Sequence, residues 1–301
     1  MRTGFVSLFG RPNAGKSTLL NLLIGVKLAI VSDKPQTTRN RIVGVKNVPG
    51  KNPGQIVFVD TPGIHRPLHR MNVRMVDLAL DTISDVDVLV IVVDAAAGSG
   101  AGDRYVLSLV AQASAPVIIA LNKIDLIAKT KLLPLIDWYR NQRECVAIVP
   151  VSARSGDGCD RLVSVILDSL SEGEPLYPSD YLTDQPERVM VAEAVREKLL
   201  QHTRAELPFT SAVVVERFEE ADTKGIIRAY CSIFVERESQ KAIVIGQRGS
   251  LIKQIGIEAR CDLERFFATK FYLDLRVRVS AGWRENERIL DELGMTGRRD
   301  G

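Results

Sequence analysis

Residues Gly10-Arg11-Pro12-Asn13-Ala14-Gly15-Lys16-Ser17 fit the pattern G-x-x-x-x-G-K-[ST], and the chemistry such a stretch can do is the holding of a polyphosphate. Gly10 and Gly15 permit a tight curl that lets backbone approach phosphate. The curl turns N–H groups inward, and the helix that follows from Thr18 adds its positive end. Lys16 can reach the β- and γ-phosphates, and Ser17 can offer its hydroxyl to Mg²⁺. Phe5 to Phe9 reads as a buried strand and Thr18 to Leu23 as a helix ended at Gly25, which is the context the motif needs.

Four later stretches carry groups that suit the same site. Ser32 to Asn40 has no aliphatic residue and reads as a solvated loop, in which Thr38, with Thr37 beside it, can close over Mg²⁺ and the γ-phosphate. Ile56 to Val59 is a buried strand ending in Asp60-Thr61-Pro62-Gly63, where Asp60 suits a Mg²⁺ ligand acting through water and the Gly63 N–H suits the γ-phosphate. Val117 to Leu121 ends in Asn122-Lys123-Ile124-Asp125. A carboxylate at Asp125 can accept from guanine N1–H and the exocyclic amine, both of which adenine lacks, so the site would discriminate by about 10⁴ or more. Lys123 can lie along the base and Asn122 can tie this loop to the phosphate loop. Val146 to Val151 ends in Ser152-Ala153-Arg154, where an N–H can meet the guanine O6.

The elements that must position these groups follow from order alone. Each group follows a strand, and ligands of open α/β sheets sit outside the carboxyl ends of strands. Val86 to Val93 is a further buried strand, and helices are expected over 72–83, 103–113 and 159–170. The chain has 301 residues, 46% apolar and 26% charged, with a net charge of +3, so bulk charge announces no nucleic-acid partner. Cys145, Cys159, Cys231 and Cys261 form no metal-ligand spacing and read as reduced, mostly buried thiols of a cytosolic protein. His65 and His69 have helical spacing but no third ligand. Residues 1–20 show no signal peptide, and no apolar run is long enough to span a bilayer.

Taken together, residues 1–170 resemble a translation-factor-like small GTPase, through Gly10–Ser17, Gln36–Asn40, Asp60–Gly63, Asn122–Asp125 and Ser152–Arg154. The resemblance implies binding of GTP and GDP with Mg²⁺ held by Ser17, Thr38 and Asp60. It makes Lys16, Thr38, Gly63 and Asn13 the candidate catalytic groups. One position departs: Ile64 stands where many GTPases place a water-orienting Gln, which predicts slow intrinsic turnover. The family resemblance implies that Asn13 holds a K⁺ ion beside the phosphates, where an arginine finger acts elsewhere.

Residues 171–186, with three prolines and several acids, read as a partly extended linker. Beyond it, 187–201 has a helical apolar stripe, for which core packing suffices; a membrane-surface helix fits less well because its polar face mixes acids and bases. Strands are expected over 211–217, 227–235 and 271–279, the last with Arg276 and Arg278 on its polar face. Between them Gly246-Gln247-Arg248-Gly249 is a G-x-x-G loop with helix before and after. It is flanked by Lys241 and Lys253, with no acid from 241 to 256. The arrangement matches a type II KH domain, α+β, whose loop clamps single-stranded RNA backbone. The candidate RNA contacts are Lys241, Gly246, Gln247, Arg248, Gly249 and Lys253.

A small GTPase domain followed by a KH domain over 187–301 resembles the Era family, as do Gln36-Thr37-Thr38-Arg39, the stretch 239–260 and Gly282-Trp283. The resemblance implies a GTP-hydrolysing switch, monomeric and cytoplasmic, that binds the 3′ end of 16S ribosomal RNA in assembly of the 30S subunit. It also implies peripheral association with the inner membrane. A P-loop kinase or ATPase would lack Asn122–Asp125, and a tRNA-modifying GTPase would need chemistry found nowhere in the chain. The rival from another class is a scaffold in which hydrolysis is incidental.

Overall fold

A computed structural model describes residues 1–34, 37–64, 69–204, 206–221, 223 and 225–295. Gln36 of the threonine loop and His65 lie outside the described residues. The chain divides into two compact units. The first comprises Met1–Ala29, Pro35–Pro67 and Met75–Asp184, and the second Ile30–Lys34, Leu68–Arg74 and Gln185–Gly301.

From its start to residue 169 the chain runs β1 (Arg2–Phe9), α1 (Lys16–Ile24), β2 (Ile42–Val48), β3 (Gly54–Asp60), α2 (Arg70–Ser84), β4 (Val88–Asp94), α3 (Ala101–Leu109), β5 (Val117–Asn122), α4 (Leu132–Gln142), β6 (Ala147–Pro150) and α5 (Cys159–Ser169), all in the first unit except the first turn of α2, residues 70–74, which counts with the second. The six strands of the first unit form one sheet in the order β2-β3-β1-β4-β5-β6. All neighbours are parallel except β2, which pairs antiparallel to β3. Parallel strands covered on both faces need unbroken apolar runs, and Val88 to Val93 is at most 3% exposed throughout. Phe9, Leu89, Ile91, Ile119, Leu121 and Tyr139 meet in one core beneath this sheet.

The segment 171–184 forms no helix or regular strand and turns at Pro178, where Tyr181 N donates to Pro178 O at 3.1 Å, but it is not a free spacer. The side chain of Gln55, fully buried in β3, donates to the Tyr177 carbonyl at 2.8 Å and accepts from the N–H groups of Leu176 and Tyr177 at 2.8 and 2.9 Å. Val45 N donates to Leu182 O at 2.9 Å, and Thr183 Oγ1 donates to Val43 O at 2.6 Å. Tyr177 and Tyr181 stack at 4.8 Å and pack against Val43, Val45, Val57 and Val59. The segment therefore covers the edge strand β2, whose free polar backbone would otherwise be exposed.

The second unit contains α6 (Glu187–His202), α7 (Leu207–Thr210), β7 (Ala212–Glu219), β8 (Ile226–Val235), α8 (Glu238–Ile245), α9 (Ser250–Phe267), β9 (Lys270–Val279) and α10 (Glu287–Glu292). Its sheet has the order β7-β8-β9, antiparallel then parallel. The helices α6, α8 and α9 share a core with one face of the sheet, through Val191, Val195, Leu199, Val244, Ile255 and Ala259. Of the apolar stripe of α6, Ala192, Val195 and Leu199 enter this core, joined by Val191 and Ala194, while Val189 and Leu200 are not part of it. Lys198–Asp262 at 2.6 Å and His202–Glu258 at 2.8 Å add ties between α6 and α9. The buried Trp283 donates through Nε1 to Thr210 O at 2.8 Å. All four cysteines are free thiols: Cys159 and Cys231 are buried, Cys145 and Cys261 only partly. Burial pushes the Cys231 thiol up to about 12, so it carries no nucleophile at neutral pH.

Candidate functional site

The phosphate loop lies between the end of β1 and the start of α1. Gly15, at φ 93°, caps α1, and a Cβ there would stand 2.3 Å from Asn122 Nδ2. Only glycine allows both the turn and the approach. Asn13 also has positive φ, 62°, and is exposed. Lys16 is buried, and its Nζ donates to the carbonyls of Gly10 and Arg11 at 3.2 and 3.1 Å, so it is held inside the loop it would serve. Burial pulls its pKa down, against the opposing field of Asp60. Arg11 points out of the loop to Asp103 at 3.0 Å, while Thr18 lies in the first turn of α1.

Three oxygen-bearing side chains converge beside Lys16. Ser17 Oγ lies 2.7 Å from Thr38 Oγ1 and donates to Asp60 Oδ2 at 2.6 Å, and Thr38 Oγ1 donates to the same oxygen at 3.4 Å. Asp60 is fully buried, and its Oδ1 has no hydrogen-bond partner. Burial raises its pKa to about 6, against the lowering effects of Lys16 and of the Ser17 and Thr38 hydroxyls. A buried orphan carboxylate oxygen with two hydroxyls in reach is a donor set that fits Mg²⁺. Thr37 is half-buried next to this cluster in sequence. Thr61 turns away and donates to Leu8 O at 2.9 Å, Pro62 is buried, and Gly63 lies against Pro12 of the phosphate loop. Ile64 is 2% exposed and faces the sheet core, while its N–H donates to Gly10 O at 3.1 Å. Its side chain is therefore absent from the site.

The base-side loops meet at Asn122. Its Nδ2 donates to Ala14 O at 2.9 Å, and its Oδ1 accepts from Ala153 N at 2.9 Å, so one buried amide joins three loops. Ser152 Oγ donates to Asp125 Oδ1 at 2.7 Å, which holds the carboxylate in one orientation. Arg154 follows and is exposed. Lys123 Nζ meets Asp94 Oδ2 at 2.6 Å, and Asp94 Oδ1 accepts from Ala96 and Ala97 N–H. Asp94 and Asp103 were not among the candidates from sequence. The signal for Asp94 was an acid ending an apolar strand, the same signal that marked Asp60.

In the second unit, Gly246 (φ 73°), Arg248 (φ 51°) and Gly249 (φ 77°) make the turn between α8 and α9, and Gly249 caps α9. Gln247 and Arg248 are exposed, as is Lys253, while Lys241 is partly covered. None of the three cations pairs with a described acid. Beside this loop, Ile252, Lys253, Gly256, Ile257 and Arg260 of α9 face the edge strand β9 across a groove of about 370 Å³. No spacing in the sequence marks this groove wall as a contact surface, because Ile257 and Arg260 resemble any helical surface.

The two units define a class: a P-loop GTPase domain followed by a KH domain. The family model described as "50S ribosome-binding GTPase" matches residues 5–123, and one described as a KH domain matches 206–284. The chain is 51% identical over 293 residues to GTPase Era of Geotalea uraniireducens, covering 97% of each. It is 44% identical over 294 residues to that of Heliobacterium modesticaldum, covering 98% of this chain and 97% of the other. The fold superimposes with a TM-score of 0.94 on Aquifex aeolicus Era bound to GDP·AlF₄⁻, at 39% identity, covering 98% of this chain and 100% of that one. It superimposes equally, at 40% identity and covering 98% and 99%, on an Era solved with MgGDPNP and nucleotides 1506–1542 of 16S ribosomal RNA. The chain belongs to the Era family of GTPases.

Proposed function

We propose that the protein is a GTP-driven switch that binds the 3′ end region of 16S ribosomal RNA through its KH domain and acts in assembly of the 30S subunit. The observation that carries this reading is the pairing, in one chain, of the Asn122–Asp125 base site with a basic G-x-x-G loop whose cations meet no described acid. That the Era solved with MgGDPNP and nucleotides 1506–1542 of 16S RNA matches along almost the whole chain supports it. Lys16 and the loop N–H groups would bind the β- and γ-phosphates, and Ser17, Thr38 and Asp60 would hold Mg²⁺. The metal, when bound, would neutralise phosphate charge during transfer. Thr38 and Gly63 would sense the γ-phosphate, and their release on hydrolysis is the switch.

The buried Ile64 leaves no side chain there to orient water, which supports slow turnover and an auxiliary cation at Asn13. Hydrolysis measured in K⁺ and in Na⁺ at equal ionic strength tests the cation: the rate rises in K⁺, and Asn13→Ala removes the difference. The switch itself is tested by the affinity for an RNA of the 16S 3′ end with a non-hydrolysable GTP analogue and with GDP. Equal affinity in both states would leave a scaffold in which hydrolysis is incidental.

A further inference from the structure

The sheet of the second unit has one face in the core and one in solvent, and the solvent face is not an ordinary polar surface. Tyr272 of the edge strand β9 is 48% exposed and also borders the groove beside the G-x-x-G loop. Its ring lies 5.9 Å from that of Tyr230 on β8, inclined at 59°. The guanidinium of Arg217 on β7 lies 5.6 Å from the centre of the Tyr230 ring. These three form a row that starts at the groove and crosses all three strands.

Cations flank the row. Arg276 pairs with Asp274 at 3.2 Å and Arg278 with Glu216 at 3.1 Å, with the arginine side chains 66% and 50% exposed. Arg217 pairs with Glu219 and is 71% exposed. Ion pairs this exposed contribute little, so exchanging a carboxylate for a phosphate costs little. Lys270, exposed at the start of β9, adds a charge without a described acid beside it. Flat aromatic rings with arginines around them, on an open sheet, suit unpaired bases and the backbone that carries them. A tyrosine pair kept only for cross-strand packing does not call for exposed arginines on both sides.

We propose that this face is a second RNA-contact surface, where Tyr272 and Tyr230 stack bases of a strand leaving the groove and Arg217, Arg276 and Arg278 meet its phosphates. The proposal rests on the RNA-binding reading above. A KH groove takes about four nucleotides, and a longer single strand that continues past Tyr272 passes onto this face.

The test uses the full chain, a single-stranded RNA of about six nucleotides and one of about thirty that contains it. Tyr230→Ala is expected to leave the short-RNA affinity within twofold and to weaken the long RNA about tenfold, the loss of one stacked base. Arg276→Glu should likewise spare the short RNA and lower the salt dependence for the long one by about one contact. Photocrosslinking with 4-thiouridine near the 3′ side of the long RNA should label β8 or β9. Unchanged long-RNA affinity in both variants overturns the proposal. So does equal loss on both lengths, because the face would then only support the fold of the groove. Protection of Tyr230 by an acidic peptide but not by RNA also overturns it, in favour of a protein partner. If the wild-type chain binds neither RNA, the RNA-binding reading itself falls; if it binds the short RNA and the variants change nothing, only this inference falls.

Discussion

Asp60 sits where burial and function oppose each other. Its carboxylate titrates near 6, raised from 3.8 chiefly by burial. The folded chain without metal therefore holds a proton more tightly than the unfolded chain does. This group favours the metal-free fold as pH falls below about 6 and weakens it at neutral pH, by about 2–3 kcal/mol for a shift of this size. A Mg²⁺ ion held by this carboxylate through water would relieve that conflict by favouring the charged form. Mg²⁺ affinity should be flat above about pH 7 and fall toward tenfold per unit below about 6, as protons compete for the same carboxylate. Asp60→Asn should raise the melting temperature of the metal-free protein at neutral pH and lower Mg²⁺ affinity at least tenfold. A melting temperature that drops with this substitution would mean that the charge stabilises the fold after all. At the base, Ser152 fixes Asp125 in place. Asp125→Asn should cost about two orders of magnitude in GTP affinity and improve xanthosine triphosphate, whose C2 carbonyl suits an amide donor; titration of both nucleotides against both proteins decides it. Asp125 was legible because the chemistry is compressed into four consecutive residues after a strand. Asp94 was not, because its partner Lys123 comes 29 positions later, and only the register of β4 against β5, Asp94 opposite Asn122, brings them together.

At the scale of elements, apolar runs announced the buried strands, and their ends located the loops. What remained hidden had little apolar content of its own. Helix α4 buries only Tyr139 fully and carries Pro134 in its first turn, so no continuous stripe marks it. The segment 171–184 has the composition of a spacer, and nothing in it reveals that a glutamine more than a hundred residues earlier holds it down. Gln55 has no exposed surface, and besides its three bonds to the segment it donates to Asn47 Oδ1 at 2.9 Å. Replacing it by leucine removes the partner of three polar backbone groups at once, which costs about 2 kcal/mol or more where water cannot fully take over. Gln55→Leu should loosen the segment from β2, and chymotrypsin should then cut after Tyr181, which Leu182 follows, well before the rest of the first unit; the bond after Tyr177 precedes Pro178 and stays resistant. Nucleotide affinity should be kept, since Gln55 lies at the opposite end of β3 from Asp60. Cleavage at the wild-type rate would show that the tyrosine stack alone holds the segment.

At the scale of the whole molecule, the two units have separate cores, so RNA binding and nucleotide chemistry should be separable by one substitution. The two glycines of the G-x-x-G loop differ as probes. A Cβ at Gly246 would stand 2.7 Å from Leu251 Cβ, so any side chain there disturbs the start of α9. A Cβ at Gly249 meets no protein atom within 4 Å, and the only internal cost is its φ of 77°, a region aspartate tolerates better than most residues. An aspartate at Gly249 thus changes little that the protein feels and much that a phosphate would feel: bulk where backbone must come close, and negative charge at a helix N-terminus that favours anions. Gly249→Asp should abolish binding of single-stranded RNA while GTP affinity and hydrolysis without RNA stay at wild-type values. Arg248→Ala and Lys253→Ala should each weaken RNA binding modestly and flatten its salt dependence by about one phosphate contact, because neither charge is held by a described acid. The measurement is RNA affinity across a salt series, with thermal unfolding as the control that the second unit is intact. Wild-type RNA affinity in a folded Gly249→Asp protein would make the loop an ordinary turn between two helices and would remove the RNA half of the proposed switch.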